Sequence, residues 1–106
     1  MKDFKFIDEF VESQLDKIAN LNIDRHVINA DQIEVIRNSL KLDNMSIDEL
    51  RVIRNSVVKL FGEKEDKYYE YGKKTKSYEE FDKYHNAMSG TVAVIDHIIW
   101  KKGGEL

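Results

Sequence analysis

Apolar residues recur along this chain at helical spacing, in four separate stretches. Phe4, Ile7, Val11, Leu15 and Ile18 mark the first, with Phe10 beside them, while Asp8, Glu9, Glu12 and Asp16 give its other face an acidic character. Spacings of three and four residues share one helix face, so the pattern predicts a helix from after Asp3 to about Asn20. Residues 21–28, LNIDRHVI, read as a connector with buried Ile and Val. A second stripe is Ile33, Ile36 and Leu40; a third is Leu50, Ile53, Val57 and Leu60. The third runs past Gly62 through Tyr68 and Tyr71, and stop signals come only at Gly72, Lys73 and Lys74. The fourth is close to a heptad pattern, Tyr78, Phe81, His85, Met88, Val92, Ile95 and Ile99, and ends at Gly103-Gly104.

The second and third stripes contain the same five residues. Val35-Ile36-Arg37-Asn38-Ser39 returns as Val52-Ile53-Arg54-Asn55-Ser56, 17 positions on. Each copy follows a helix-start signal. Ser46 with Glu49 forms a capping box, and Asn29 with Gln32 a weaker one. Met45 with Leu50, and Ile28 with Ile33, are placed as the accompanying hydrophobic staples. The block therefore encodes two similar helices joined by residues 41–44. A helix-turn-helix is the alternative, with helix 47–60 as a recognition helix and Arg51, Arg54 and Asn55 reading base edges. Three features favour packing over groove reading. Asp48 and Glu49 stand where that helix would meet DNA, the turn lacks a Gly, and residues 37–62 carry only +2 net charge. One duplicated block also falls short of the three or more repeats a solenoid needs.

The last two helices, 47–71 and 78–102, are separated by a short basic turn and are expected to fold back as an antiparallel hairpin. Counting outward from the turn sets Gly62 opposite Ala87, with Ser89 and Gly90 nearby. Small residues at a helix crossing let backbones approach, which would give these glycines a packing purpose. Val92, Ala93, Val94, Ile95, Ile98, Ile99 and Trp100 cover almost every side of the last helix, the pattern of a buried helix. The expectation is an all-α fold: a small bundle of about four helices with a long C-terminal hairpin. It forms a single domain over 1–106, with a body of 1–62 plus 87–102 and an arm of 63–86.

Composition sharpens this picture. The chain has 106 residues and no Pro, which suits long uninterrupted helices. Its hydrophobic content of 42% is enough for a packed core. A net charge of −3 weighs against a polyanion as the main partner. No Cys is present, which excludes disulfides, thiol catalysis and thiolate metal sites. The start, MKDFKFIDEF, carries three acids and does not read as a signal peptide. The longest apolar run, 91–100, contains Asp96 and His97 and is too short to span a bilayer. A soluble, cytoplasmic protein is expected, with no membrane partner.

Candidate chemistry is sparse. Asp82, His85 and Ser89 share a helix face, but a mid-helix Ser lacks the strained presentation and oxyanion donors a nucleophile needs. His26, His85 and His97 form no ligand pair at metal spacing, and no Gly-rich phosphate loop occurs. The reading is a non-enzyme with no catalytic residues, no metal and no cofactor.

The distinctive cluster is aromatic. All five tyrosines fall between residues 68 and 84, with Lys73, Lys74 and Lys76 in the turn between them. Tyr beside cationic side chains has the composition of a binding hot spot, and also of a single-strand stacking platform. Residues 64–83 hold six Lys and six acids, and that neutrality favours a protein partner over nucleic acid. Tyr69, Tyr71, Lys73, Lys74, Lys76 and Tyr84 are the candidate partner-binding residues, with Tyr69 and Tyr84 expected to be exposed. The function expected is a non-catalytic interaction module, a small regulator or inhibitor docking on another protein. A homodimer is compatible with the hairpin. Small acidic Cys-free chains occur among phage-type inhibitors of host enzymes, nucleases included, a likeness of class only. The alternative is a DNA-binding transcriptional regulator using helix 47–60.

Overall fold

A computed structural model describes residues 4–24, 26–72 and 78–104; within the helices, the side chains of residues 4, 5, 65, 67–71 and 78–81 lie outside the description. The described residues form four helices, α1 Phe4–Ala19, α2 Ala30–Ser39, α3 Ile47–Gly72 and α4 Tyr78–Lys101, with a 3-10 turn at Leu42–Asn44. Among them there is no strand, only one isolated bridge between Asp24 and Val27. The chain is an all-α bundle.

Both helix starts form as their sequences specify. Asn29 Oδ1 accepts from the Gln32 amide at 2.9 Å while Gln32 Oε1 accepts from the Asn29 amide at 3.3 Å. Ser46 and Glu49 make the same reciprocal pair at 3.2 and 3.3 Å. Lys41, at φ 55°, stops the helical path after α2 and leads into the 3-10 turn. The end of α4 is a Schellman cap: Gly103 turns left-handed at φ 89°, its amide donates to Trp100 O, and the Gly104 amide donates to Ile99 O.

α3 runs unbroken through Gly62, and α3 with α4 is the most extensive helix pair. Contacts descend α3 as they ascend α4, from Phe61 with Tyr84, through Arg54 with Asp96, to Ile47 beside Gly104. The pair is therefore antiparallel over this span. α1 lies across both, and α2 packs mainly on α4.

Burial follows the described part of the first three stripes, with Ile7 and Ile33 half-buried against the core and the side chains of Phe4, Tyr68 and Tyr71 outside the description. Val11, Leu15 and Ile18 of α1, Ile36 with Leu40 at the end of α2, and Leu50, Ile53, Val57 and Leu60 of α3 are all in the core. The duplicated block keeps its roles in both copies. Ile36 and Ile53 are buried, Arg37 and Arg54 each bind an aspartate, Asn38 and Asn55 are exposed, and Ser39 and Ser56 are buried. The copies repeat the burial pattern but not every partner: Ser56 Oγ donates to Asp8, whereas Ser39 Oγ is buried without a hydrogen bond among the described residues.

Three expectations are corrected. A Cβ built on Gly62 would meet nothing within 4 Å, so Gly62 does not pack against the 87–90 segment. Phe61 holds the inward position, and one residue of helix rotates Gly62 away by about 100°. The close approach is instead at Gly90, where a Cβ would lie 2.9 Å from Ile23 Cγ2 of the connector. The buried row of α4 is also rotated from the expected stripe: it runs Tyr84, Ala87, Thr91, Val94 and Ile95, Ile99, leaving His85, Met88 and Val92 half-buried on its flank. Nor is α4 enclosed on every side. Trp100 is 63% exposed, and Ala93 and His97 also face solvent. α2, with 10 residues, spans about 15 Å and cannot cover the 24 residues and roughly 36 Å of α4.

Candidate functional site

The expected tyrosine tip is only partly visible. Lys73, Lys74 and Lys76 lie outside the described residues, as do the side chains of Tyr69 and Tyr71. Tyr84 is described, and its expected exposure is corrected. It is 6% exposed, with its ring 6.3 Å from that of Phe61 and its hydroxyl donating to Asp16 Oδ1 at 2.8 Å. The ammonium groups of Lys64 and Lys83 lie 6.0 and 5.7 Å from the ring centroid. Tyr84 lies three residues before Ala87 and seven before Thr91, so the helical period carries it inward with them. Its phenol and the two lysine stems close the end of the core, where the polar tip still finds a partner.

The alternative DNA-reading residues sit on one side of α3 but in unequal settings. Arg51 and Asn55 are exposed. Arg54 is half-buried, and its guanidinium forks onto Asp96 of α4, Nε to Oδ1 at 2.7 Å and Nη2 to Oδ2 at 3.4 Å. That fork joins the two long helices and occupies the face of Arg54 that a base edge would need.

Asn55 also borders a small cleft of about 250 Å³ with Asp8, Ser56 and Lys59. Asp8 Oδ1 accepts from Ser56 Oγ, and Oδ2 from Lys59 Nζ, each at 2.7 Å. The Lys59 hydrogen bond, with that from Ser56, pulls the Asp8 carboxyl below its ordinary pKa. The carboxylate in turn holds the Lys59 ammonium above its own. The Asp8 carboxylate that accepts from Ser56 is made a weaker base by these bonds. This trio is a clamp between α1 and α3. In the row proposed and set aside as a triad, Asp82 is exposed, while His85 and Ser89 are half-buried. Among the described residues, no group of three His, Asp or Glu is placed to hold a metal ion. No helix among them is long and apolar enough to cross a membrane.

A groove of about 840 Å³ with a largely apolar lining lies between α2 and α4. Its floor is Ile28, Ile33, Ala93, Val94 and Ile98. Its rim is polar: His97, Lys101 and Lys102 on one side, Arg37 and Asp43 on the other. Arg37 is held by Asp43, with Nε and Nη2 2.8 and 2.7 Å from Oδ1. Next to the rim residue His97 stands Trp100, whose ring centroid is 6.1 Å from the imidazole. Sequence reasoning missed this groove by treating all apolar positions of α4 as buried. The available signal was length: a second helix too short to cover the fourth leaves Ala93, His97 and Trp100 exposed. No protein-family model, curated protein or solved structure matches the chain.

Proposed function

We propose that the chain is a non-catalytic protein-interaction module, a small regulator or inhibitor that acts by docking on another protein. The observation that supports it best is the α2–α4 groove, an apolar floor with a polar rim, whose rim residue His97 has the exposed Trp100 beside it. Apolar centres ringed by polar groups are the anatomy of protein interfaces, and Trp is enriched among the residues that carry their energy. The tip residues Tyr69, Tyr71, Lys73, Lys74 and Lys76 belong to the proposal as a second contact region. Tyr84 leaves it, because its ring and hydroxyl are used inside the fold.

The test is affinity purification from a lysate of the native host with three baits: wild type, Ala93→Gln and Arg51→Ala. Ala93 is exposed in the groove, so the longer neutral side chain obstructs docking without disturbing the core. A protein held by wild type and Arg51→Ala but lost with Ala93→Gln supports the reading. Equal recovery with wild type and Ala93→Gln moves the docking surface elsewhere. No specific partner with any bait overturns it.

A further inference from the structure

We propose that the α2–α4 groove takes an acidic amphipathic helix of the partner protein. This rests on the docking reading and names the chemistry of what docks. Length comes first. The α4 wall runs from Ala93 to Lys102, nine residue steps, which is about 13.5 Å or two and a half helical turns. Ile33, Val94 and Ile98 on the floor suit anchors spaced i, i+4 and i+7 on an incoming helix.

Backbone chemistry separates a helix from an extended segment. An extended peptide gains its affinity by pairing its N–H and C=O groups with a sheet edge. The long walls of this groove are α2 and α4, helices that pair their own interior backbone groups and offer no sheet edge, so an extended peptide pressed against them would bury unpaired amides. A helix brings its backbone already satisfied.

Charge sets the sign. Among the described residues, the rim acid Asp43 is held by Arg37, and Asp96, beside His97 in sequence, is held by Arg54. Glu34 lines an adjoining cleft that shares Ile33, Arg37 and Asp43 with the groove, so the cationic character is confined to the α4 side of the rim. Lys101 and Lys102 are exposed, line the groove, and enter no ion pair among the described residues. A chain of net charge −3 thus presents a locally cationic rim over an apolar floor. Carboxylates flanking the apolar face of a partner helix complement it.

Trp100 is the single tryptophan of the chain, so its fluorescence reports on the groove edge. The probes are two synthetic helical peptides of fourteen residues (~21 Å when helical) without aromatics. They share leucines at i, i+4 and i+7 and carry either glutamates or lysines at the flanking positions. The glutamate peptide should shift Trp100 emission to the blue and saturate. Its affinity should fall at least tenfold for Lys101→Glu/Lys102→Glu, which should instead favour the lysine peptide. Ala93→Gln should abolish both signals. Equal binding of the two peptides by wild type overturns the acidic assignment and leaves the docking reading intact. No response to either peptide, while Ala93→Gln still loses a partner from lysate, overturns the helical occupant alone. Concentration-dependent dimerisation of the wild-type chain that Ala93→Gln abolishes makes the occupant a second copy, and overturns the proposal. That copy would present the exposed Phe6, Glu9 and Glu12 of its α1.

Discussion

The hydroxyl of Tyr84, on α4, donates to Asp16, on α1, across 68 positions of sequence. It turns a residue with the composition of a docking anchor into part of the frame. Tyr84→Phe keeps the ring against Phe61 and removes the bond. It should destabilise the chain by about 1 kcal/mol, the net worth of one intramolecular hydrogen bond. Tyr84→Ala should cost about 3–5 kcal/mol, as for other buried aromatics cut to Ala. Urea denaturation of the two variants measures both. A Tyr84→Ala protein as stable as wild type would return Tyr84 to the surface.

Gly62 and Gly104 should respond oppositely to a methyl group. Gly62 sits inside α3 with open space where a Cβ would go, so Gly62→Ala should stabilise by about 0.5–1 kcal/mol through helix propensity. At Gly104 a Cβ would fall 2.6 Å from Ile99 Cγ2 and 3.1 Å from Ile99 O, so Gly104→Ala should destabilise. Thermal melts of the pair check the signs.

How much of this was legible in the sequence depends on how a residue's surroundings are made. The capping boxes at Asn29 and Ser46 are local in sequence, three residues wide, and could be read off the chain. The stripes of α1 and α3 were legible because their polar faces contrast with their apolar ones. α4 offered no such contrast over 92–100, where apolar residues surround the axis, so its rotation could not be fixed from periodicity. That ambiguity hid the groove and the rotation that carries Tyr84 inward, whereas Gly62 was placed by matching small residues across the hairpin rather than by the stripe of its own helix. The partners of Arg54 and Asp8 were equally out of reach, since each joins residues more than 40 positions apart.

The Asp8 clamp gives stability a pH dependence of known sign. The folded-state pKa of Asp8 is lowered, so its contribution is present above the ordinary carboxylate pKa of about 3.9 and is lost as pH falls through the folded value. Lys59 is raised, so its contribution holds below about 10.4 and is lost as pH rises through its folded value. Asp8→Asn should therefore flatten the acid limb of a stability profile and lose the Lys59 contribution near neutrality. Chemical denaturation from pH 2 to 7 (the range set by the carboxylate pKa) is the measurement, and an unchanged acid limb would refute the assignment.

Arg54 and Asp96 should behave as a pair. With side chains 38% and 24% exposed, the fork is screened only in part, and a double-mutant cycle with alanine should give a coupling of about 1 kcal/mol or less. Arg51→Ala should leave stability near wild type. If Arg51→Ala/Asn55→Ala abolishes salt-sensitive binding to duplex DNA, the alternative reading of α3 takes precedence.

Gln32 has a reach beyond its own cap. While Oε1 closes the box with Asn29, Nε2 donates to Leu21 O at 3.0 Å, at the far end of the connector. One amide side chain thus latches both ends of the stretch between α1 and α2, over which Ile23 and Ile28 rest on Gly90. Opening that latch frees the connector and the first turn of α2 together, while the antiparallel pair α3–α4 and α1 keep their own contacts. The backbone amides of residues 21–40 should then exchange with solvent as one cooperative unit, ahead of the rest of the core. Gln32→Ala should quicken exchange across the whole stretch, connector included, far from the site of the change.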